Sequence, residues 1–212
     1  MVTNVFFLLF LAITGALAST DFDFSDDDSE DSYFEKHEMA PYTVIKNAET
    51  YQVRVYPPTK WACAQTNKSE DKKEGMRMFM ALFDYIDGMN DMEMEINMTV
   101  PVSMRKDKKG ADGTKWCQMC FYIPSALQET TPQPQGDRVF IQERPRMMFA
   151  TRTFGGYMMR MKQWKAEKVI LQEDLKMAEE PGVDFSSTYW AVYDPPMKTT
   201  NRRNEVWFPM KE

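Results

Sequence analysis

The chain has 212 residues, a formal charge of −6 and 19 methionines, and this length makes one folded domain its natural organisation. The acidity is local: residues 21–38, DFDFSDDDSEDSYFEKHE, carry nine acids and one lysine, so taking their −8 from −6 leaves +2 for residues 39–212. A remainder this close to neutral excludes the strongly basic face that nucleic-acid binding needs.

In chain order, the first feature is VFFLLFLAITGALA, residues 5–18. An apolar run ending in the small-x-small motif Ala16-Leu17-Ala18 predicts a signal peptide over residues 1–18, cleavage after Ala18 and secretion. The run is shorter than the roughly 20 apolar residues of a membrane span. The acidic stretch that follows repels itself and predicts a disordered tail over residues 19–40. It lacks the D-x-D-x-D-G loop with a closing glutamate, so no calcium hand is read there. The folded domain is assigned to residues 41–212.

From Tyr51 a pattern of short elements begins. VRVYPP predicts a strand and turn, and KWACAQT, residues 60–66, a second strand. Ser69 is a candidate cap for a helix running to about Ile86 and closed by Gly88. MEINMTVPV, residues 93–102, predicts a third strand, residues 106–113 a turn region, and WCQMCFYIP, residues 116–124, a fourth strand. After the proline-rich connector SALQETTPQPQGD the order recurs: strands at 139–143 and 145–154, a break at Gly155-Gly156, a helix over 157–177, then strands at 187–196 and 204–210. VRVYPPTKWACAQT and VFIQERPRMMFATRT align almost without gaps. Each copy is β-β-α-β-β, which predicts a pseudo-twofold domain. MTVPV and YDPPM take the same place in the two copies by this alignment. Proline lacks the donor of an interior ladder, so both predict bends at the rim of a nearly closed sheet. Gly155-Gly156 lacks the spacing of a phosphate loop and is read as backbone freedom at a strand-to-helix turn.

Cysteines number three, Cys63, Cys117 and Cys120, which leaves at least one without an intrachain partner. Cys117 and Cys120 point to opposite faces of a strand and bridge poorly. Cys63 with Cys117 or with Cys120 remains open. The C-x-x-C spacing sits inside a strand with no second ligand pair, which argues against redox or zinc chemistry. Sequons at Asn67-Lys68-Ser69 and Asn97-Met98-Thr99 mark candidate glycosylation sites.

The first helix carries two apolar stripes: Met76, Phe79, Met80 and Phe83 at i, i+3, i+4, i+7 spacing, and Met78, Leu82, Tyr85 and Met89 as another. One stripe packs on the sheet. The other either meets the second helix, through Tyr157, Met161, Trp164, Leu171 and Leu175, or lines a groove. Flexible, polarizable thioethers suit a site that adapts to a flat apolar guest, and they also fill cores.

Six blocks in register, YQVRVYPPTKW (51–61), MTVPV (98–102), FYIP (121–124), FGGY (154–157), YDPPMK (193–198) and NRRNEVW (201–207), resemble the SOUL/haem-binding protein family over residues 41–210. The resemblance implies an α+β fold: a twisted antiparallel β-barrel flanked by two helices, similar to bacterial effector-binding domains. It also implies non-covalent binding of haem or another tetrapyrrole in an apolar cleft beside the first helix. Carried onto this chain, the binding residues are Met76, Arg77, Phe79, Met80 and Phe83. Arg77 offers a guanidinium to a propionate, and the basic pair Arg202 and Arg203 stands before the last strand. Some members carry a proposed axial histidine where this chain has Val55. The one histidine, His37, lies in the acidic tail, so the iron ligand is left unassigned.

Three functions follow from these readings. The first is a secreted tetrapyrrole carrier without enzymatic activity and without a membrane anchor. The second is an extracellular interaction or storage protein of the same fold that binds no haem. The third is an enzyme, for which Glu93, Glu95, Glu143 and Asp194 are the available carboxylates and no histidine triad is placed.

Overall fold

The computed structural model describes residues 37–67, 72–109, 114–158 and 160–211. The signal segment, nearly all of the acidic tail and the Ser69 cap lie outside the described residues. The elements are β1 (Glu38–Met39), β2 (Thr43–Asn47), β3 (Gln52–Tyr56), β4 (Thr59–Thr66), α1 (Lys72–Ile86), β5 (Thr99–Val100), β6 (Val102–Lys109), β7 (Thr114–Tyr122), β8 (Phe140–Arg144), β9 (Met147–Phe154), α2 (Met161–Met177), β10 (Tyr189–Val192) and β11 (Asn204–Met210). Nine strands form one antiparallel sheet in the order β2-β3-β9-β11-β10-β6-β7-β4-β8, and β1 pairs with β5 in parallel.

The sheet order states the duplication. From β3 to β8 it is a palindrome about the β10–β6 contact: the first strand of each half pairs with the second strand of the other, β3 with β9 and β8 with β4. Strand bounds give the register. Gln52, Tyr56, Thr59 and Thr66 correspond to Phe140, Arg144, Met147 and Phe154, a constant offset of 88. This corrects the sequence alignment by one to two residues and matches Pro57 with Pro145. Strand β2 extends one end of the sheet and has no partner of this kind beyond β8.

Alternation along each strand separates two faces. Ala62, Ala64, Cys117, Met119 and Phe121 pack against α1 through Met78, Leu82, Tyr85 and Ile86. Val53, Ala150, Val206 and Phe208 pack against α2 through Trp164, Leu171 and Leu175. Both helices therefore lie on one face. The other face is aromatic: Tyr56, Trp61, Tyr122, Phe149, Tyr189, Tyr193 and Trp207 form one cluster. A small cavity on that face is lined from β3, β4, β8, β9 and β11, so the two ends of the sheet curl toward each other. The α+β barrel with two flanking helices is the observed architecture.

Several sequence expectations are corrected. Residues 93–98 are not strand; the third strand of the first half is β6, which begins after Pro101 and runs through Lys109. Beyond Arg105 it pairs with β7 alone, as a ribbon that leaves the sheet; a two-stranded extension tolerates the charged run that masked the strand in sequence. MTVPV and YDPPM are not equivalent, because Pro101 precedes β6 whereas Pro195 follows β10. They still share one rim, since Val102 faces Val192 across the β6–β10 ladder. Helix α2 starts at Met161, four residues later than expected, where the Gln163 side chain accepts a hydrogen bond from the Arg160 N–H at 2.9 Å. Gly156 has φ +92°, the freedom read for the Gly-Gly break.

Cys63 and Cys120 face each other across β4 and β7 and form a disulfide with Cα atoms 4.1 Å apart. Cys117 is free and buried on the helix face, and burial pushes its thiol pKa up. No helix among the described residues is long and apolar enough to cross a membrane.

Candidate functional site

The first helix is held by its buried stripe. Leu82 and Tyr85 are fully buried, Met78 and Ile86 nearly so, and the Tyr85 hydroxyl donates to the Pro132 carbonyl at 2.8 Å. Gly88, at φ +111°, ends the helix. The loop after it is fixed by the buried side chain of Asn90. Its Nδ2 donates to the Tyr85 and Met94 carbonyls, and its Oδ1 accepts from the Met92 and Met94 N–H groups. That loop carries the exposed side chains of Met89 and Met92, so Met89 does not join the buried stripe.

With this stripe inside, the other turns outward. Met76, Phe79, Met80 and Phe83 are all half-buried. Phe79 and Phe83 stack with ring centroids 6.4 Å apart, and Phe79 meets Phe121 edge-on at 5.5 Å. Arg77, with 59% of its side chain exposed, lies beside the stripe and pairs with Glu74. These five expected residues share one helix. Arg202 and Arg203 do not join them. They stand in the half that carries α2, where Arg202 ties the β10–β11 loop by donating to the Asp194, Pro195 and Lys198 carbonyls and stacks on Tyr157 at 4.6 Å. Arg203 reaches the aromatic face, over Tyr193 at 4.2 Å.

Position 55 also lies on the α2 side of the sheet, although its strand is the first of the α1 half. Val55 is half-buried on β3, opposite Met148 of β9. Beside it lies an open cavity of about 500 Å³ lined by Ile45, Lys46, Val53, Met148, Met210 and Lys211 among others. Among the described residues, no three His, Cys, Asp or Glu side chains converge as a metal cage. Glu93, Glu95 and Glu143 are exposed. Asp194 is buried and held by Lys198 and the Arg203 N–H. The four carboxylates form no pair.

Sequence reasoning missed the buried polar centre of the aromatic face. Glu205, fully buried, accepts from Arg54, Arg203, Tyr193, Trp207 and Thr153. Burial pushes its pKa up, but the guanidiniums of Arg54 and Arg203 win and hold it below the ordinary carboxylate value. Tyr193 is raised, first by burial and then by the Glu205 charge. The signal was present: Arg54 and Glu205 each sit among apolar residues in strands, at positions that alternation turns inward.

The family model described as SOUL heme-binding protein matches residues 37–209. The chain is 34% identical over 176 residues to Heme-binding protein 2 of Homo sapiens, covering 81% of this chain and 83% of that protein. It is 33% identical over 187 residues to Heme-binding protein 1 of Mus musculus, covering 83% and 94%. In fold it is similar to the crystal structure of the EcmrR C-terminal domain, with a TM-score of 0.53 and 12% identity over 76% of this chain and 98% of that one. That last likeness is one of fold alone, whereas the family match spans nearly the whole described domain. The chain belongs to the SOUL heme-binding protein family.

Proposed function

We propose that this protein is a secreted, non-enzymatic binder of haem or a related tetrapyrrole, and that it holds the porphyrin face on the outward stripe of α1. The observation that carries the site is the second apolar stripe: Met76, Phe79, Met80 and Phe83 stay half-exposed on a helix already anchored by Met78, Leu82 and Tyr85. Arg77 at the edge suits a propionate. The residues present fit a ring and a carboxylate but supply no histidine, because position 55 is valine and lies on the α2 side of the sheet. Haem, when bound, supplies the iron; this chain supplies flat apolar contact and one cation. The family name, together with that of its relatives, supports the ligand.

Export rests on the apolar leader and on the Cys63–Cys120 disulfide, a bond that persists in oxidising compartments. Asn67 and Asn97 are both exposed, as glycan acceptors must be. Intact mass of the protein from culture medium tests cleavage after Ala18, the fate of the acidic tail and the two glycans together.

Hemin titrated into the mature protein gives a saturable Soret shift near one-to-one, and Phe79→Ser with Arg77→Ala weakens it. Metal-free protoporphyrin IX binds comparably, since iron is not gripped by histidine. A titration that matches hemin in buffer alone overturns the reading. A second placement is favoured by one observation: the 500 Å³ cavity beside Val55 joins four apolar side chains to Lys211 and to the Lys46–Glu180 ion pair. Loss of binding in Ile45→Asp with Lys211→Glu, and none in the α1 variant, moves the ring there.

A further inference from the structure

The aromatic face buries more positive than negative charge. Arg54 and Arg203 share Glu205. Arg144, 7% exposed at the end of β8, has no carboxylate partner among the described residues. Its hydrogen bonds go to one neutral acceptor, the Ser103 hydroxyl, at 3.3 and 3.4 Å. Its guanidinium lies over the Trp61 ring at 4.1 Å and near Tyr189 at 5.7 Å. Arg105 approaches the same Tyr189 ring at 5.3 Å, a second cation in place of a counterion. Burial, with Arg105 adding repulsion, pushes the Arg144 pKa down to about 10. Guanidinium keeps its proton near neutral pH even so.

A second donor faces the same space. Tyr56 is the counterpart of Arg144 at the offset of 88, and both residues end their strands before the matched prolines Pro57 and Pro145. The Tyr56 hydroxyl is buried, with the Arg54 guanidinium near its oxygen and no acceptor for its proton. Tyr56 and Arg144 together line a cavity of about 10 Å³, with Trp61, Phe149 and Trp207 as apolar walls and the exposed proline turns at its mouth. That volume suits one water-sized occupant. A buried guanidinium without a counter-charge and a hydroxyl without an acceptor ask for an acceptor that carries negative charge.

We propose that this cavity is an anion site that takes a single halide, held by the Arg144 guanidinium with the Tyr56 hydroxyl as second donor. The room excludes carboxylate, sulfate and phosphate. The site lies on the sheet face opposite α1, so it is independent of the tetrapyrrole reading.

Crystals of the mature protein, free of tetrapyrrole, are soaked in sodium bromide and measured at the bromine absorption edge. The expected result is one anomalous peak within hydrogen-bonding distance of the Arg144 guanidinium. In solution, bromide titrated at constant ionic strength against sulfate quenches tryptophan fluorescence with a saturable component, because Trp61 stacks on Arg144. Arg144→Met removes that component, and Tyr56→Phe weakens it several-fold. A water at the site with no anomalous signal overturns the proposal, as does a saturable component that survives Arg144→Met. The wild-type crystals decide the matter even if Arg144→Met fails to fold.

Discussion

The two helices hold equivalent places in a duplicated scaffold, and their outer faces differ. Each buries one stripe completely: Leu82 on α1, Leu171 and Leu175 on α2. Outside that stripe α2 is largely charged, MKQWKAEKVILQEDLKM, with Met161, Val169, Ile170 and Met177 exposed but scattered rather than aligned in a stripe. Helix α1 instead carries a continuous half-buried run of Met76, Phe79, Met80 and Phe83. The fold therefore needs one apolar stripe per helix, as α2 demonstrates. Phe79 and Phe83 of the second stripe on α1 pack in part against the core, and the rest of that stripe is the surface that the proposed binding uses.

The largest effect belongs to neither helix. Glu205→Ala leaves Arg54 buried without its partner and costs about 3–5 kcal/mol, read by urea unfolding. The same carboxylate sets a pH dependence. Its pKa is lowered from 4.5, so its contribution is complete above pH 4.5 and fades as pH falls through the folded value. Glu205→Gln makes stability less steep in pH below that point. Next, Leu82→Ala and Leu171→Ala each cost about 2–5 kcal/mol. Near-equal losses sharpen the view that the inner stripes are equivalent; a much smaller loss at Leu82 breaks it. Replacing Cys63 and Cys120 together by Ser opens a link across 57 residues and costs about 2–4 kcal/mol.

Much of this was legible in sequence, and the failures have causes. The sequence reading of strand β11 at residues 204–210 matches the structure, in which the short apolar run VWFPM lies in a strand buried on both faces. The inner stripe of α1 followed from helical period. Alternation assigns a face but not a partner, so nothing in the sequence joined Arg54 to Glu205, 151 residues away. Strand β6 is hidden in the sequence because its ribbon carries the charged run RKDKK where a strand pattern expects apolar residues. A basic pair before a strand says nothing of what the guanidinium ties, and Arg202 ties three carbonyls of its own loop. Duplication was visible, whereas its register of 88 needed the ladders.

The smallest stability effect separates the helices most. Met80→Ser on the outer stripe of α1 changes unfolding free energy by about 1 kcal/mol or less, since the side chain is only half-buried. Porphyrin affinity falls about tenfold. The matched change on α2, Ile170→Ser, has the same small effect on stability and none on affinity.

The most direct test is one hemin absorption titration run in parallel on wild type, Phe79→Ser and Ile170→Ser. The account predicts saturable one-to-one binding for wild type and Ile170→Ser, and its loss for Phe79→Ser. Equal curves for all three proteins contradict it.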